Sequence, residues 1–313
     1  MPAVFKGRKG RVMGLLSIRD LDRGQIQELI VLAAKKKKEL REGKVSIDLA
    51  GKVLGMIFHK PSLRTRVSFE VGMHQLGGTA LYITDQELGL GQRESVGDAA
   101  KVLSRYVDGI MIRTFDHSVA VGLAEAASVP VINGLTDLLH PCQVLSDLFT
   151  IWEKGRDLDS ITVCYIGDGN NVCNSWLNAS TRFSFRLRLC VPRGHEPAAG
   201  ILHLAQKEAR GAVEIMRDPA AAATEADVIY TDVWTSMGQE KTAQKRKAAF
   251  AGFIVDGALV RRARPGCLVM HCLPAHRGEE ISEDVMDGPN SIVFDQAENR
   301  LHLQKAVLLR LLS

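Results

Sequence analysis

The chain has no apolar run approaching the ~18 residues of a membrane-spanning helix, so no span is expected. Its six cysteines, Cys142, Cys164, Cys173, Cys190, Cys267 and Cys272, form no CxxC pair. A disulfide framework is therefore not expected, and several of the thiols lie in apolar runs, as buried free cysteines do. A reducing cytoplasm fits this usage. Strong charge is also missing: the net charge is +4 at pH 7. The basic runs Lys35–Lys38, Lys245–Lys247 and Arg261-Arg262 lie apart and carry no interleaved aromatics. They read as solvated helix faces and loops rather than a nucleic-acid surface, with a field that attracts anionic substrates as the weaker reading. The first eighteen residues are basic and lack acids, as transit peptides do, but the segment is short and runs straight into folded-looking sequence.

What is present is a chain of 313 residues with 46% hydrophobic content, enough for about two domains with sizeable cores. Strand-length apolar runs alternate with helix-like segments. Leu54–Phe58, Ala80–Ile83, Gly109–Ile112 and Val131-Ile132 read as strands, with helices over Arg64–Leu76 and Ser95–Tyr106. The pattern restarts with strands at Ile161–Ile166, Leu187–Val191, Val228–Tyr230 and Cys267–Met270, and a helix from about Val172. This alternation predicts α/β architecture with parallel sheets covered by helices. The polar stretch Glu153–Ser160 separates the halves. Gln143–Glu153 is expected to cross between two domains, and the amphipathic tail Ala297–Leu312 to be helical.

Five motifs fall at strand-to-helix or strand-to-loop junctions. Lys60-Pro61-Ser62-Leu63-Arg64-Thr65-Arg66 opens a helix, where unpaired N–H groups and partial positive charge favour an anion. Guanidinium groups at Arg64 and Arg66 suit phosphate; a plain Ser N-cap with solvent-facing arginines fits as well. His140-Pro141-Cys142-Gln143 sets two side chains able to bond a carbonyl and an amide, although a lone His is often structural. Gly167-Asp168-Gly169-Asn170-Asn171 begins like a dinucleotide fingerprint, but the third glycine position holds Val172. Leu187–Val191 then leads into Pro192-Arg193-Gly194 rather than an acid for a ribose. NAD is not expected, and a turn presenting Asn171 to a small polar ligand is. Asp232 through Gly238 follows a strand end, where open sheets bind ligands. Asp232 suits an ammonium group, and the alternative is an exposed loop without a ligand. His271-Cys272-Leu273-Pro274 also ends a strand. His271, Cys272 and His276 lack dependable zinc spacing, so no metal is expected.

Together with Gln296-Ala297-Glu298-Asn299-Arg300, these ordered motifs closely resemble the aspartate/ornithine carbamoyltransferase family, from about Leu15 to Leu312. The resemblance implies two α/β domains, each a parallel sheet flanked by helices, joined by crossing helices. Residues 1–142, with the C-terminal helix 297–313 packing back, would bind carbamoyl phosphate, and 143–296 would bind ornithine. The implied activity is carbamoyl transfer to the δ-amino group of L-ornithine, giving citrulline and phosphate in arginine metabolism, with no cofactor. Ser236-Met237-Gly238 resembles the ornithine branch; the alternative is another amine acceptor, putrescine or an N-acylated ornithine. A non-catalytic ligand-binding homologue is the alternative from a different class.

The resemblance assigns Ser62, Leu63, Arg64, Thr65, Arg113, His140, Gln143, Cys272, Leu273 and Arg300 to carbamoyl phosphate. It assigns Asn171, Asp232, Ser236 and Met237 to ornithine. Arg64, Arg113, His140 and Cys272 would be catalytic. It further implies a homotrimer, or a multiple of trimers, while cysteine usage, charge and hydropathy lead to the expectation of a cytoplasmic protein with no nucleic-acid or membrane partner. Two positions depart from the family pattern. Leu63 replaces a threonine, which removes one hydroxyl contact to phosphate. Gly89 stands where a Gln or His usually reaches a neighbouring subunit, leaving Gln86, Gln92 or Arg93 as substitutes.

Overall fold

A computed structural model describes residues 14–89, 94–236, 238 and 240–313. The described chain divides into two compact units, one running to Phe149 and including Glu298–Ser313, the other Thr150–Ala297. Both divisions fall inside long helices. The first lies within the helix that begins at Pro141, beyond the expected boundary at 142/143.

In the first unit the order is α1 (Arg23–Arg41), β1 (Val53–Phe58), α2 (Leu63–Gln75), β2 (Thr79–Thr84), α3 (Asp85–Leu88), α4 (Val96–Leu103), β3 (Gly109–Arg113), α5 (His117–Ala126), β4 (Val131–Leu135) and the start of α6 (Pro141–Glu153). The strands form a parallel sheet of order β2-β1-β3-β4. Leu54 to Phe58 are all buried, which is why β1 is a continuous apolar run rather than an alternating one. β2 is half-exposed at the sheet edge. β4, at the other edge, is buried throughout because the chain beside Leu15 pairs with it: Leu15 N–H donates to Val131 O at 2.8 Å, and Asn133 N–H to Leu15 O at 2.8 Å.

The second unit contains β5 (Thr162–Ile166), α7 (Asn171–Ser180), β6 (Arg186–Cys190), α8 (Ala199–Glu208), β7 (Val213–Met216), α9 (Pro219–Ala223), β8 (Val228–Thr231), α10 (Ala243–Ala249), α11 (Gly257–Val260), β9 (Leu268–His271), α12 (Glu283–Met286) and the start of α13 (Val293–Leu312). Its parallel sheet has the order β7-β6-β5-β8-β9. Trp176 is fully buried, with Phe185 and Tyr230 rings edge-on at 5.7 Å each.

Each sheet reverses its winding once. The chain leaves β1 to form β2 on one side and β3 on the other; it leaves β5 to form β6 on one side and β8 on the other. Strand C-termini at such a switch splay apart their connections and leave a crevice. The Ser62 turn follows β1 and Arg113 ends β3. The Gly167–Asn171 turn follows β5 and Asp232 follows β8.

The sequence reading places neither β7 nor several helices, α1, α5 and α8 among them; β7 is a half-buried edge strand of four residues, too short to show a period. Two readings change. The Lys35–Lys38 run is not wholly a solvated face. Lys37 is buried, its Nζ donating to Asn299 Oδ1 at 2.7 Å and lying 3.2 Å from Glu298. The helix read as Ser95–Tyr106 is shorter, with Ser95 as its N-cap. Among the described residues no helix is long and apolar enough to cross a membrane, and the six cysteines are unpaired.

Trp176→Ala is expected to lower the unfolding free energy by about 3–5 kcal/mol, as aromatic truncation in a packed core does. Urea unfolding followed by circular dichroism measures it; a loss below about 1 kcal/mol would show that the site collapses around the smaller side chain.

Candidate active site

In the first unit Ser62 caps α2, its Oγ accepting from Thr65 N–H at 3.3 Å. Its extended backbone and short hydroxyl suit an N-cap, and Pro61 before it keeps the chain from turning helical earlier. The cap places Thr65 in the first turn, fully buried. Thr65 Oγ1 lies 3.4 Å from Arg113 Nη1 and 3.0 Å from Arg300 Nη2. Arg113 is 8% and Arg300 4% exposed. Two desolvated guanidinium groups thus converge on one neutral hydroxyl beside the positive end of a helix. Like charges held together beside a helix N-terminus make a positive field of the kind that suits an anion.

Lys60 adds to the same field. It is buried, pairs with Asp137 at 3.0 Å, and lies over the Phe115 ring at 4.8 Å. Its role was not read from the sequence, although it opens the motif. Arg66 does the reverse of the expectation that it adds a donor: its Nε bonds Glu70 at 3.1 Å and its guanidinium covers the Tyr82 ring at 4.0 Å. The helical period accounts for this, since Glu70 is four residues on along the same face. Arg64 is half-buried and Leu63 exposed in the first turn of α2.

His140 precedes α6 and is almost wholly buried. Burial, and then the charges of Arg300, Arg113 and Lys60, hold its imidazole well below the usual value of 6.5. The imidazole is therefore neutral at neutral pH. Gln143 Nε2 donates to Asp147 Oδ1 at 2.9 Å, one turn along α6. Because a carboxylate faces only donors, the amide must turn its Oε1 the other way, and that oxygen has no partner among the described residues.

In the second unit the centre is Asp232, 6% exposed just after β8. Its Oδ2 accepts from Asn170 Nδ2 at 2.7 Å, and its Oδ1 accepts from Val233 N–H at 2.8 Å and Cys272 Sγ at 2.9 Å. Asn170 is also the N-cap of α7, its Oδ1 accepting from Val172 N–H at 2.9 Å and Cys173 N–H at 3.2 Å. The structural half of the Asn170-Asn171 pair is thus Asn170, and Asn171 opens α7 half-buried. Cys272 is half-buried, and Leu273 holds a left-handed backbone at φ 58°. A left-handed Leu is strained and needs support: its N–H donates to His271 Nδ1 at 2.8 Å, and His271 Nε2 lies 3.1 Å from the buried Glu280. Ser236 is half-buried, and Met237, Gln92 and Arg93 lie outside the described residues.

Two clusters bring metal-ligating atoms within 4.8 Å, Asp232 with His271 and Cys272, and His276 with Glu279 and Glu280. In the first, both His271 nitrogens are engaged, and in the second Glu279 pairs with Lys247 at 2.6 Å. The glycine turn also has an internal use. A Cβ on Gly169 would sit 2.3 Å from Pro197 N, and Gly169 N–H donates to His195 O at 2.9 Å. The close backbone approach that a pyrophosphate would need is occupied by the protein's own chain.

Residues 14–153 match the family model described as the aspartate/ornithine carbamoyltransferase carbamoyl-P binding domain, and residues 159–311 match its Asp/Orn binding domain. An ornithine carbamoyltransferase of Syntrophus aciditrophicus is 53% identical, with 94% of this chain and 97% of that protein covered. The anabolic ornithine carbamoyltransferase of Pyrococcus furiosus is 50% identical, with 94% of each covered. The solved structure of a P. furiosus ornithine carbamoyltransferase superposes with a TM-score of 0.93 at 48% identity, covering 96% of this chain and 97% of that one. The Thermus thermophilus structure gives 0.86 at 44% identity, covering 96% and 99%.

The depressed His140 pKa sets a sign for stability. The folded form holds this imidazole neutral, so the unfolded chain binds more protons below pH 6.5, and stability falls as pH falls through that value. His140→Gln, which cannot protonate, is expected to flatten the decline in urea midpoint between about pH 7 and 5. Parallel declines in the two proteins would show that His140 titrates freely.

Proposed function

The chain belongs to the aspartate/ornithine carbamoyltransferase family, and from that premise we propose that it transfers the carbamoyl group of carbamoyl phosphate to the δ-amino group of L-ornithine, releasing citrulline and phosphate. The observation that carries this reading is the convergence of Arg113 and Arg300 on Thr65 at the start of α2, an anion site with an acceptor-bearing Gln143 and a neutral His140 in the same unit. We assign residues 1–142 with 297–313 to carbamoyl phosphate, and 143–296 to ornithine.

Phosphate oxygens accept from the Ser62 hydroxyl, the backbone N–H groups of Leu63 and Thr65, and the guanidinium groups of Arg64 and Arg113. The Leu63 side chain removes one hydroxyl but not its backbone donor. The carbamoyl oxygen receives donors from Arg64, Arg113, Thr65 and His140; the carbamoyl NH₂ gives to Gln143 Oε1 and the Leu273 carbonyl. Arg300 supports the same field. Ornithine lays its α-carboxylate on Asn171 and the Met237 N–H, and its α-ammonium on Asp232 and Ser236. Cys272 faces the δ-amino group.

An alkylammonium has a pKa of about 10.4, so the acceptor must lose a proton before it attacks. Desolvation and the arginine field favour the neutral amine. Its lone pair forms the N–C bond, the carbonyl oxygen gathers negative charge opposite preorganised donors, and the C–O bond to phosphate then breaks. The departing phosphate takes the amine proton. The steps call on no metal or organic cofactor. We place the reaction in the cytoplasm and in arginine biosynthesis, run toward citrulline, and assign the chain to a homotrimer or a multiple of trimers. The anabolic name of the P. furiosus relative supports the direction.

An assay offering ornithine, putrescine, N-acetylornithine and aspartate tests the acceptor: ornithine alone is expected to yield product with inorganic phosphate. Product from another amine, and none from ornithine, would overturn the reading. Arg64→Ala and Arg113→Ala are each expected to lower kcat by about 10²–10³-fold, as loss of one preorganised donor does. Turnover within twofold of the parent would remove that residue from the oxyanion role.

A further inference from the structure

The two proposed ornithine contacts Asn171 and Ser236 sit on separate connections, one after β5 and one after β8. Near both lies a partly buried group with no assigned part in the reaction. Arg246, on α10, is 12% exposed; its Nη2 lies 2.6 Å from Asp168 Oδ2, and its Nε donates to the Trp234 carbonyl at 2.5 Å. Asp168 is three positions before Asn171, and Trp234 two before Ser236. A single side chain therefore ties the root of one ligand-bearing turn to the root of the other.

Every part of the tie is held from a second direction. The guanidinium lies over the Phe250 ring at 5.4 Å, one helical turn on. The Trp234 ring stacks on the same Phe250 at 5.6 Å and is 8% exposed. His195 lies 4.7 Å from Phe250 and 3.6 Å from Asp168 Oδ1. Burial pushes the Asp168 carboxyl up, and Arg246 and then His195 oppose that. A buried carboxylate of this kind needs a cation in place, so Arg246 and Asp168 hold each other.

We infer that Arg246 is a positioning residue for the acceptor amino acid, a brace that fixes the spacing between the Asn171 turn and the Ser236 segment. This role rests on the ornithine reading above. The bond to Trp234 also closes the neck of a loop, since donor and acceptor are twelve positions apart. Closing a neck restricts the residues at its base, and Ser236 is one of them. The fork of the guanidinium is what the brace requires: it bonds a carbonyl and a carboxylate at once, and an ammonium on a flexible stem does not replace both.

Arg246→Lys keeps the charge beside Asp168 and so keeps the fold, while losing the second arm. Hydrogen–deuterium exchange is expected to quicken about tenfold in peptides over residues 232–242 and to stay unchanged elsewhere. The ornithine KM is expected to rise about tenfold, with the carbamoyl phosphate KM within about twofold of the parent. Asp168→Asn, which leaves an acceptor for the guanidinium, is expected to show a smaller rise. Unchanged exchange in Arg246→Lys overturns the brace whatever the kinetics show. Faster exchange with an unchanged ornithine KM, or an equal rise for both substrates, overturns the positioning role. If the parent protein itself forms no citrulline, the reaction reading falls, and the exchange result still decides the brace.

Discussion

The chemistry depends on one electrostatic arrangement, two buried guanidinium groups held against a threonine hydroxyl at the start of a helix. Arg113 reaches Thr65 from the end of β3, and Arg300 reaches it from α13, more than two hundred residues later in the chain. Water would solvate either cation better than a hydroxyl does. The fold keeps them there because the sheet and two helices fix their backbones, against the positive potential that the α2 N-terminus adds. An anion is what such a set would favour. Burial first, and then the same field, keeps His140 neutral.

The second unit uses the opposite sign. Asp232 gathers Asn170, Val233 and Cys272 around one carboxylate, and Asn170 is at once its partner and the cap of α7. Asp168 repeats the theme nearby, with Arg246 as its cation. The guanidinium cluster and the Asp232 cluster thus fall on different sheets, each at the point where the strand order reverses. That placement follows from winding alone: adjacent strands whose connections run in opposite directions leave their C-terminal ends uncovered.

Several sequence features found a use other than the first one suggested. Gly169 is required by its own chain near Pro197, not by a nucleotide. Arg66 stays on the helix surface with Glu70 and Tyr82, while the second guanidinium at Thr65 comes from Arg300. Lys37, inside a basic run, is buried against Asn299. In each case residue type was informative and direction was not. Direction depends on helical phase and on what packs opposite, and neither is local.

The sequence by itself determined the α/β alternation, because period and apolar run length are properties of consecutive residues. It also determined where the chemistry-bearing turns fall, since Ser62, Asn170 and Asp232 each follow an apolar strand run. The ordered motifs were enough to mark the family. Only the tertiary structure decided which side chains share a site: Thr65 with Arg113 and Arg300, Asp232 with Cys272, and Asp168 with Arg246 and Trp234. Those pairings join residues far apart along the chain, so they are set by strand order and helix packing. No local pattern carries that information.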